Sequence, residues 1–191
     1  MKKIHSFDEV HDSQQMFRLT LKAMSNPLQR FNIHALTEKL YGNNKAFLAL
    51  AFTLVDNESS FYSFQNKILD DSIISLTLAT VSDCQEADFI FVEGEKNLKF
   101  AIENGKCGTL SDPHKSATII VKISNLKEYA LNMYGPGIDG TITLQTDPLV
   151  KKGLEYREKM YFEYPQGIDL IFVDEDDNMF AIPRLVKEEG K

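Results

Sequence analysis

Cysteine is scarce in this sequence: Cys84 and Cys107 are the only two in 191 residues. Two thiols without motif spacing cannot build the disulfide framework of a small secreted domain, and a chain of this length stabilises itself by burial, so both are read as free thiols. Zinc takes its Cys and His ligands in tight pairs. His5, His11, His34 and His114 form no such pair with either cysteine, and no metal is expected. Positive charge is also in short supply. The formal net charge of -7 and pI near 5.1 oppose electrostatic binding to nucleic acid or anionic lipid, which both need a basic face. Long apolar runs are missing: residues 46–55 contain Thr53 and fall well short of the about 20 residues that cross a bilayer. Met1-Lys2-Lys3-Ile4-His5-Ser6-Phe7-Asp8 turns polar and acidic at once and lacks the apolar stretch of a signal peptide. A cytoplasmic protein without a membrane or nucleic-acid partner is expected. Local catalytic signatures are absent as well: there is no G-x-S-x-G elbow, no G-x-x-x-x-G-K-[ST] loop and no G-x-G-x-x-G after a strand.

What is present reads as an ordinary globular domain. Apolar residues make up 43% and charged residues 26%, near the soluble average, and no repeat or linker divides residues 1–191. Asp12 followed by Ser13-Gln14-Gln15 predicts an N-cap with a capping box, opening a helix that Asn26-Pro27 ends. A mixed segment runs to Leu40. Asn44 is placed to cap the apolar helix of residues 46–55, which is apolar all round and therefore internal. A short strand at 60–64, a helix at 67–78, a strand at 87–92 and a helix at 97–104 follow. The β-branched run 116–123 is too apolar for an edge and is read as a central strand. Segments 129–134 and 141–144 flank the turn Gly135-Pro136-Gly137-Ile138-Asp139-Gly140; Asp147-Pro148 starts a helix to about Tyr161. Strands 167–173 and 179–183 pair across the acidic turn 174–178, and the tail 187–191 reads as frayed. Interleaved strands and helices make the class α/β, a central mixed sheet flanked by helices.

Several residues offer chemistry. His11 beside the helix N-terminus sits in a field that favours its neutral, proton-accepting form, with Asp12 next to it. The turn around Gly135, Pro136 and Gly137 is the nearest thing to an anion cradle, although no Lys or Arg stands near it in sequence. Cys107 follows Lys106, which favours the thiolate; a free structural thiol is the plainer reading. The acidic run 174–177 lacks the glycine and terminal glutamate of a calcium loop and is read as a solvated hairpin tip.

In order along the chain, Val10-His11-Asp12-Ser13-Gln14-Gln15-Met16-Phe17-Arg18, Ala23-Met24-Ser25-Asn26-Pro27, Ala87-Asp88-Phe89, Gly108-Thr109-Leu110, Ser116-Ala117-Thr118, Gly135-Pro136-Gly137-Ile138, Pro165-Gln166-Gly167-Ile168-Asp169-Leu170 and Ala181-Ile182-Pro183-Arg184 resemble the PhnH family, a subunit of the bacterial carbon-phosphorus lyase system. Two departures stand out: Leu28 follows Pro27 where the family usually has glycine, and Leu185-Val186 follows Arg184 where hydroxyl residues are common. The resemblance implies a fold similar to the large domain of pyridoxal-phosphate aminotransferases without the cofactor, a homodimer, and membership of the carbon-phosphorus lyase core complex. It also implies a contribution to the step that joins an alkylphosphonate to the ribose C1' of ATP with loss of adenine, in a transferase subunit inactive alone. His11, Asp12, Arg18, Gly135, Pro136, Gly137 and Arg184 are the ligand or interface candidates. The alternative is a stand-alone nucleotide- or phosphonate-binding protein or small transferase that uses His11, Arg18 and Arg184.

Overall fold

β-branched runs of five residues, too short for stable helices, alternate with longer stretches whose apolar positions recur every three or four residues. In the computed structural model these become α1 (His11–Ser25), β1 (Phe31–Asn32), α2 (His34–Thr37), α3 (Lys45–Leu54), β2 (Ser60–Tyr62), α4 (Lys67–Thr77), β3 (Thr80–Val81), β4 (Phe89–Glu93), α5 (Glu95–Asn104), β5 (Thr118–Lys122), β6 (Tyr129–Tyr134), β7 (Ile142–Thr146), α6 (Pro148–Lys159), β8 (Asp169–Val173), β9 (Asn178–Ile182) and β10 (Lys187–Glu188). The structure describes residues 5–190. Met1 to Ile4, part of the segment read above for a signal peptide, and Lys191 lie outside the described residues.

The main sheet has seven strands in the order β1-β9-β8-β5-β4-β2-β3. β5 is its centre, as the sequence predicts, and pairs in parallel with β4 and β8. β9 alone runs against its neighbours, so the sheet is mixed. Alternate side chains of each strand enter different cores. Ile119 and Val121 pack with Val92, Leu170, Phe172 and α5 residues Leu98 and Ala101. Ile120 points the other way, to Phe91, Ile171, Leu50 of α3, Ile73 of α4 and Met16 of α1. Both faces are therefore covered by helices, which is why these strands lack polar alternation. The chain is a single α/β domain.

Several details differ from expectation. β10, β6 and β7 form a second, three-stranded sheet that buries Leu131, Met133 and Leu144 against the first core. The tail is thus not frayed: Lys187 pairs with Tyr134 and Glu188 with Met133. The segment before Leu40 contains β1 and the short α2, held by pairing with β9. The strand expected to reach residue 64 stops at Tyr62, because Phe64 and Gln65 take φ of 55° and 60°. β3 has no signal beyond its β-branched pair. Asp12 is not the cap of α1. Asp8 accepts the backbone N–H of Val10 at 2.9 Å and of His11 at 2.6 Å, and Asp12 returns the bond by accepting the N–H of Asp8 at 2.8 Å. The reciprocal pair is Asp8 with Asp12, since the helix begins one position before the residue expected to cap it. Asp174 is likewise no solvated tip. It is buried, accepts N–H bonds from Asp176 and Asn178, and pairs with Arg30 at 3.1 Å.

Candidate functional site at the amino edge of the sheet

β4, β5 and β8 start side by side, with Phe89 opposite Thr118 and Thr118 opposite Asp169. The antiparallel β9 ends at the same margin, Ile182 beside Leu170, so Arg184 emerges next to Asp169. The Arg184 backbone N–H donates to Asp169 Oδ1 at 2.7 Å, Nε reaches both carboxylate oxygens at 3.2 Å, and Nη2 also contacts the carboxylate. Nη1 donates to the Pro113 carbonyl at 2.5 Å. Forked, charge-assisted pairing of this kind is strong because two groups of matching shape meet in a partly dry place. It leaves neither member free: Asp169 is no general base here, and Arg184 spends its fork on protein groups.

Loops close around that pair. Gly167, at φ 149°, lies so near Arg184 that a Cβ would stand 2.9 Å from its Cβ. Gln166 Nε2 donates to the Gly108 carbonyl at 3.0 Å, and the Gly167 N–H to the Cys107 carbonyl at 3.0 Å. The turn at Gly135 to Gly137 packs here for steric reasons. A Cβ on Gly135 would meet the Leu185 carbonyl at 2.8 Å, and one on Gly137 would meet Pro27 Cδ at 2.7 Å and the Ser25 carbonyl at 2.9 Å. Pro136 lines a depression of about 340 Å3 together with Pro113, Pro165, Pro183, His114 and Arg184. On the other side of Arg184 lies a groove of about 280 Å3 walled by Tyr134, Phe162, Tyr164, Lys187 and Arg157.

Arg157 is the residue sequence reasoning missed. It is only 7% exposed and donates to the carbonyls of Ile182 at 3.0 Å, Pro183 at 3.2 Å, Ile168 at 3.4 Å and Val186 at 2.5 Å. Among the described residues no carboxylate pairs with it. Burial pushes its pKa down to about 10, and the more distant Asp169 opposes that shift. A signal existed: Val150, Leu154 and Arg157 fall at i, i+4 and i+7 on the buried face of α6.

The remaining candidates lie elsewhere. α1 crosses the sheet with its last turn at this corner, where the Leu28 N–H donates to the Ala181 carbonyl; its first turn lies at the far end. His11 in that first turn and Arg18 half-way along the helix are both exposed. Asp12 is buried and holds Lys39 Nζ at 2.7 Å. Burial pushes its carboxyl up, but the Asp8 N–H and Lys39 outweigh that and hold it below the ordinary range. The structure thus unites Gly135, Pro136, Gly137 and Arg184 and separates them from His11, Asp12 and Arg18. Cys107 is partly exposed and Cys84 buried, both as thiols; burial pushes the Cys84 thiol up to about 11.

The opposite margin, at the carboxyl ends of β5 and β8, holds a cavity of about 200 Å3 lined by Asn43, Asn44, Lys45, Lys122, Asp174 and Asp177. His34 Nδ1 lies 2.9 Å from Asp177, which also accepts the Thr37 hydroxyl at 2.6 Å. No group of three or more His, Cys, Asp or Glu suited to a metal ion occurs among the described residues. No helix among them is long and apolar enough to cross a membrane.

The family described as bacterial phosphonate metabolism protein (PhnH) matches residues 5–189. The chain belongs to the PhnH family. That places it in bacterial phosphonate metabolism. No curated protein matches it. Every PhnH motif quoted above except the first, Val10 to Arg18, meets at the amino-edge corner or on the strands that start from it. Leu28 takes a φ of 70°, the left-handed backbone that glycine would take without strain.

Proposed function

We propose that the chain is a non-autonomous subunit of the carbon-phosphorus lyase system in the cytoplasm. It contributes, with companion core subunits, to the synthase step that forms α-D-ribose 1-methylphosphonate 5-triphosphate from alkylphosphonate and ATP with release of adenine. The observation that carries this reading is the match to the PhnH family over residues 5–189. The state of the corner supports it. Arg184 and Asp169 neutralise each other, and Arg157 is committed to carbonyls, so the family motifs assemble a rigid surface with no nucleophile and base in contact. Chemistry completed by partners is consistent with such a surface. The mixed seven-stranded sheet with helices on both faces is compatible with the likeness to the large domain of aminotransferases, and a homodimer alone is part of the same reading.

The test is direct. The purified chain is incubated with ATP and methylphosphonate, alone and with the companion core subunits, and adenine is measured by chromatography. Adenine is expected only in the mixture, and its yield there is expected to fall when the chain is omitted. Release by the chain alone would overturn the reading in favour of a stand-alone transferase. Saturable ATP binding by the isolated chain, abolished by Arg184→Ala with the fold intact, would move it toward a nucleotide binder.

A further inference from the structure

β3 is an edge strand. It pairs with β2 alone, so one side of its backbone has no ladder. Edge strands are commonly guarded by being very short, by lysine or proline, by a bulge or by a covering element. β3 has only its shortness: Thr80 and Val81 supply no such side chain, and Val81 is exposed. The helix before it adds a second anomaly. Leu69 and Ile73 of α4 face the core, yet Ile68 stands 81% exposed on the outer side and Leu78, at the helix end, 74%. Ile68 and Leu78 mark the two ends of α4, with Asp71 and Ser75 exposed between them. Leu78 closes α4 in the left-handed conformation, φ 59°, where glycine or asparagine is the low-cost choice. A leucine there strains the backbone and leaves its side chain in water, so the isolated fold gains nothing from it.

We infer that the flank formed by α4 and β3 docks an extended apolar segment of a different protein, one with lysine or arginine beside its apolar residues. The Val81 N–H and C=O, which alternate away from the bonds that the Thr80 and Ser82 N–H groups make to Ser59 and Phe61, match an added strand, and the aliphatic side chains of Leu78 and Val81 match an apolar one. The charges select which one. Between residues 67 and 86, Lys67 is the sole basic side chain against Asp70, Asp71, Asp83 and Glu86. Asp70 is occupied by Ser63, while Asp71, Asp83 and Glu86 are exposed. A second copy would set this acidic rim against itself, since a two-fold contact uses the same patch twice. A basic-rimmed partner meets complementary charge instead. The inference rests on the assembly reading and names the surface through which that assembly forms.

The test uses the full chain, tagged and co-expressed with the companion core subunits, with amide hydrogen exchange measured alone and in the assembly. Amides 78–83 are expected to slow by about tenfold or more in the assembly, and Leu78→Asp to reduce recovery of companions by about tenfold, the scale of an interface hot spot. Leu78→Gly relieves the backbone. It is expected to keep or raise the melting temperature while still weakening recovery, which separates docking from folding. Unchanged recovery with both variants, or slowed exchange only around 160–166, would overturn the inference while leaving the assembly standing. A chain that sediments alone as a dimer, dissociated by Leu78→Asp, would give the flank to a second copy and overturn it too. If the wild-type chain recovers no companion, the assembly reading falls and the inference with it.

Discussion

The two margins of the main sheet are built on opposite plans. At the amino margin, Arg184, Asp169, Arg157 and three glycines lock loops from distant parts of the chain into contact. At the carboxyl margin, Lys122 and the start of α3 face a cavity of about 200 Å3, and the ion pair of Lys122 with Glu93, at 3.5 Å, is half in solvent. Open α/β sheets bind ligands beyond the carboxyl ends of their strands. The family signature therefore sits mostly where ligands are not usually held, and what it encodes is largely a rigid corner. A motif that identifies a family need not mark the place where its chemistry happens.

The largest effect is expected at Arg157. Arg157→Leu leaves several buried carbonyls without donors and should cost about 4 kcal/mol in urea unfolding. A loss below about 1 kcal/mol would break the contrast, because the corner would then not depend on its buried cation. Next comes Gly137→Ala, at a φ of 84° and with Ser25 and Pro27 under 3.0 Å from the added carbon. It should cost about 2 to 3 kcal/mol, read as a lowered thermal midpoint. Leu28→Gly sets two terms against each other. Lost burial costs about 3 kcal/mol and backbone relief returns about 1, so the net loss should be near 2 kcal/mol. A gain in stability would mean that the left-handed leucine is a burden the corner merely tolerates.

The pH response probes the far end of α1. The Asp12 carboxyl is held below its unfolded value, so the folded state binds its proton less readily. Its stabilisation is fully present above about pH 5 and is lost as pH falls through about 4 toward the lowered folded value. Lys39→Met is expected to flatten that part of the acid-stability curve; an unchanged slope would show that Lys39 contributes nothing there. Smallest of all is Lys122→Ala at the open margin, expected within about 0.5 kcal/mol of wild type. If it nevertheless weakens ATP or phosphonate use by the assembled system, the contrast between a structural margin and a ligand margin is sharpened.

Much of the main sheet was legible because burial on both faces writes a continuous apolar run, as in β4, β5 and β8. The hairpin of β6 and β7 followed from its glycine turn, and α6 from Asp147, which caps it by accepting the Leu149 N–H at 2.6 Å. Two-residue strands carry no period, so β1, β3 and β10 were not legible; they exist because tertiary partners hold them. The cap of α1 was misplaced because Asp8 and Asp12 both suit the role and only backbone geometry chooses between them. At the corner, Arg184 and the turn at Gly135 were found separately, and nothing local joined them. Asp169 was quoted only within a strand and a family motif and was given no role, although it opens an otherwise apolar run, and Arg157 was hidden in a charged helix.

The pairing of β1 with β9, Phe31 against Met179, has a consequence for synthesis on the ribosome. The segment from α1 to β1 emerges early, yet the strand it packs on comes near the close of the sequence. Met16 and Ala23 can pack on α3 early, but the side they turn to β9 stays uncovered until that strand is made. Such long-range closure slows folding, since loop entropy is spent before contacts return it. The contact of α1 with β9 is thus among the last to lock. Pulse-labelled hydrogen exchange during refolding should find α1 protected no earlier than β9; protection of α1 well ahead of β9 would refute that order.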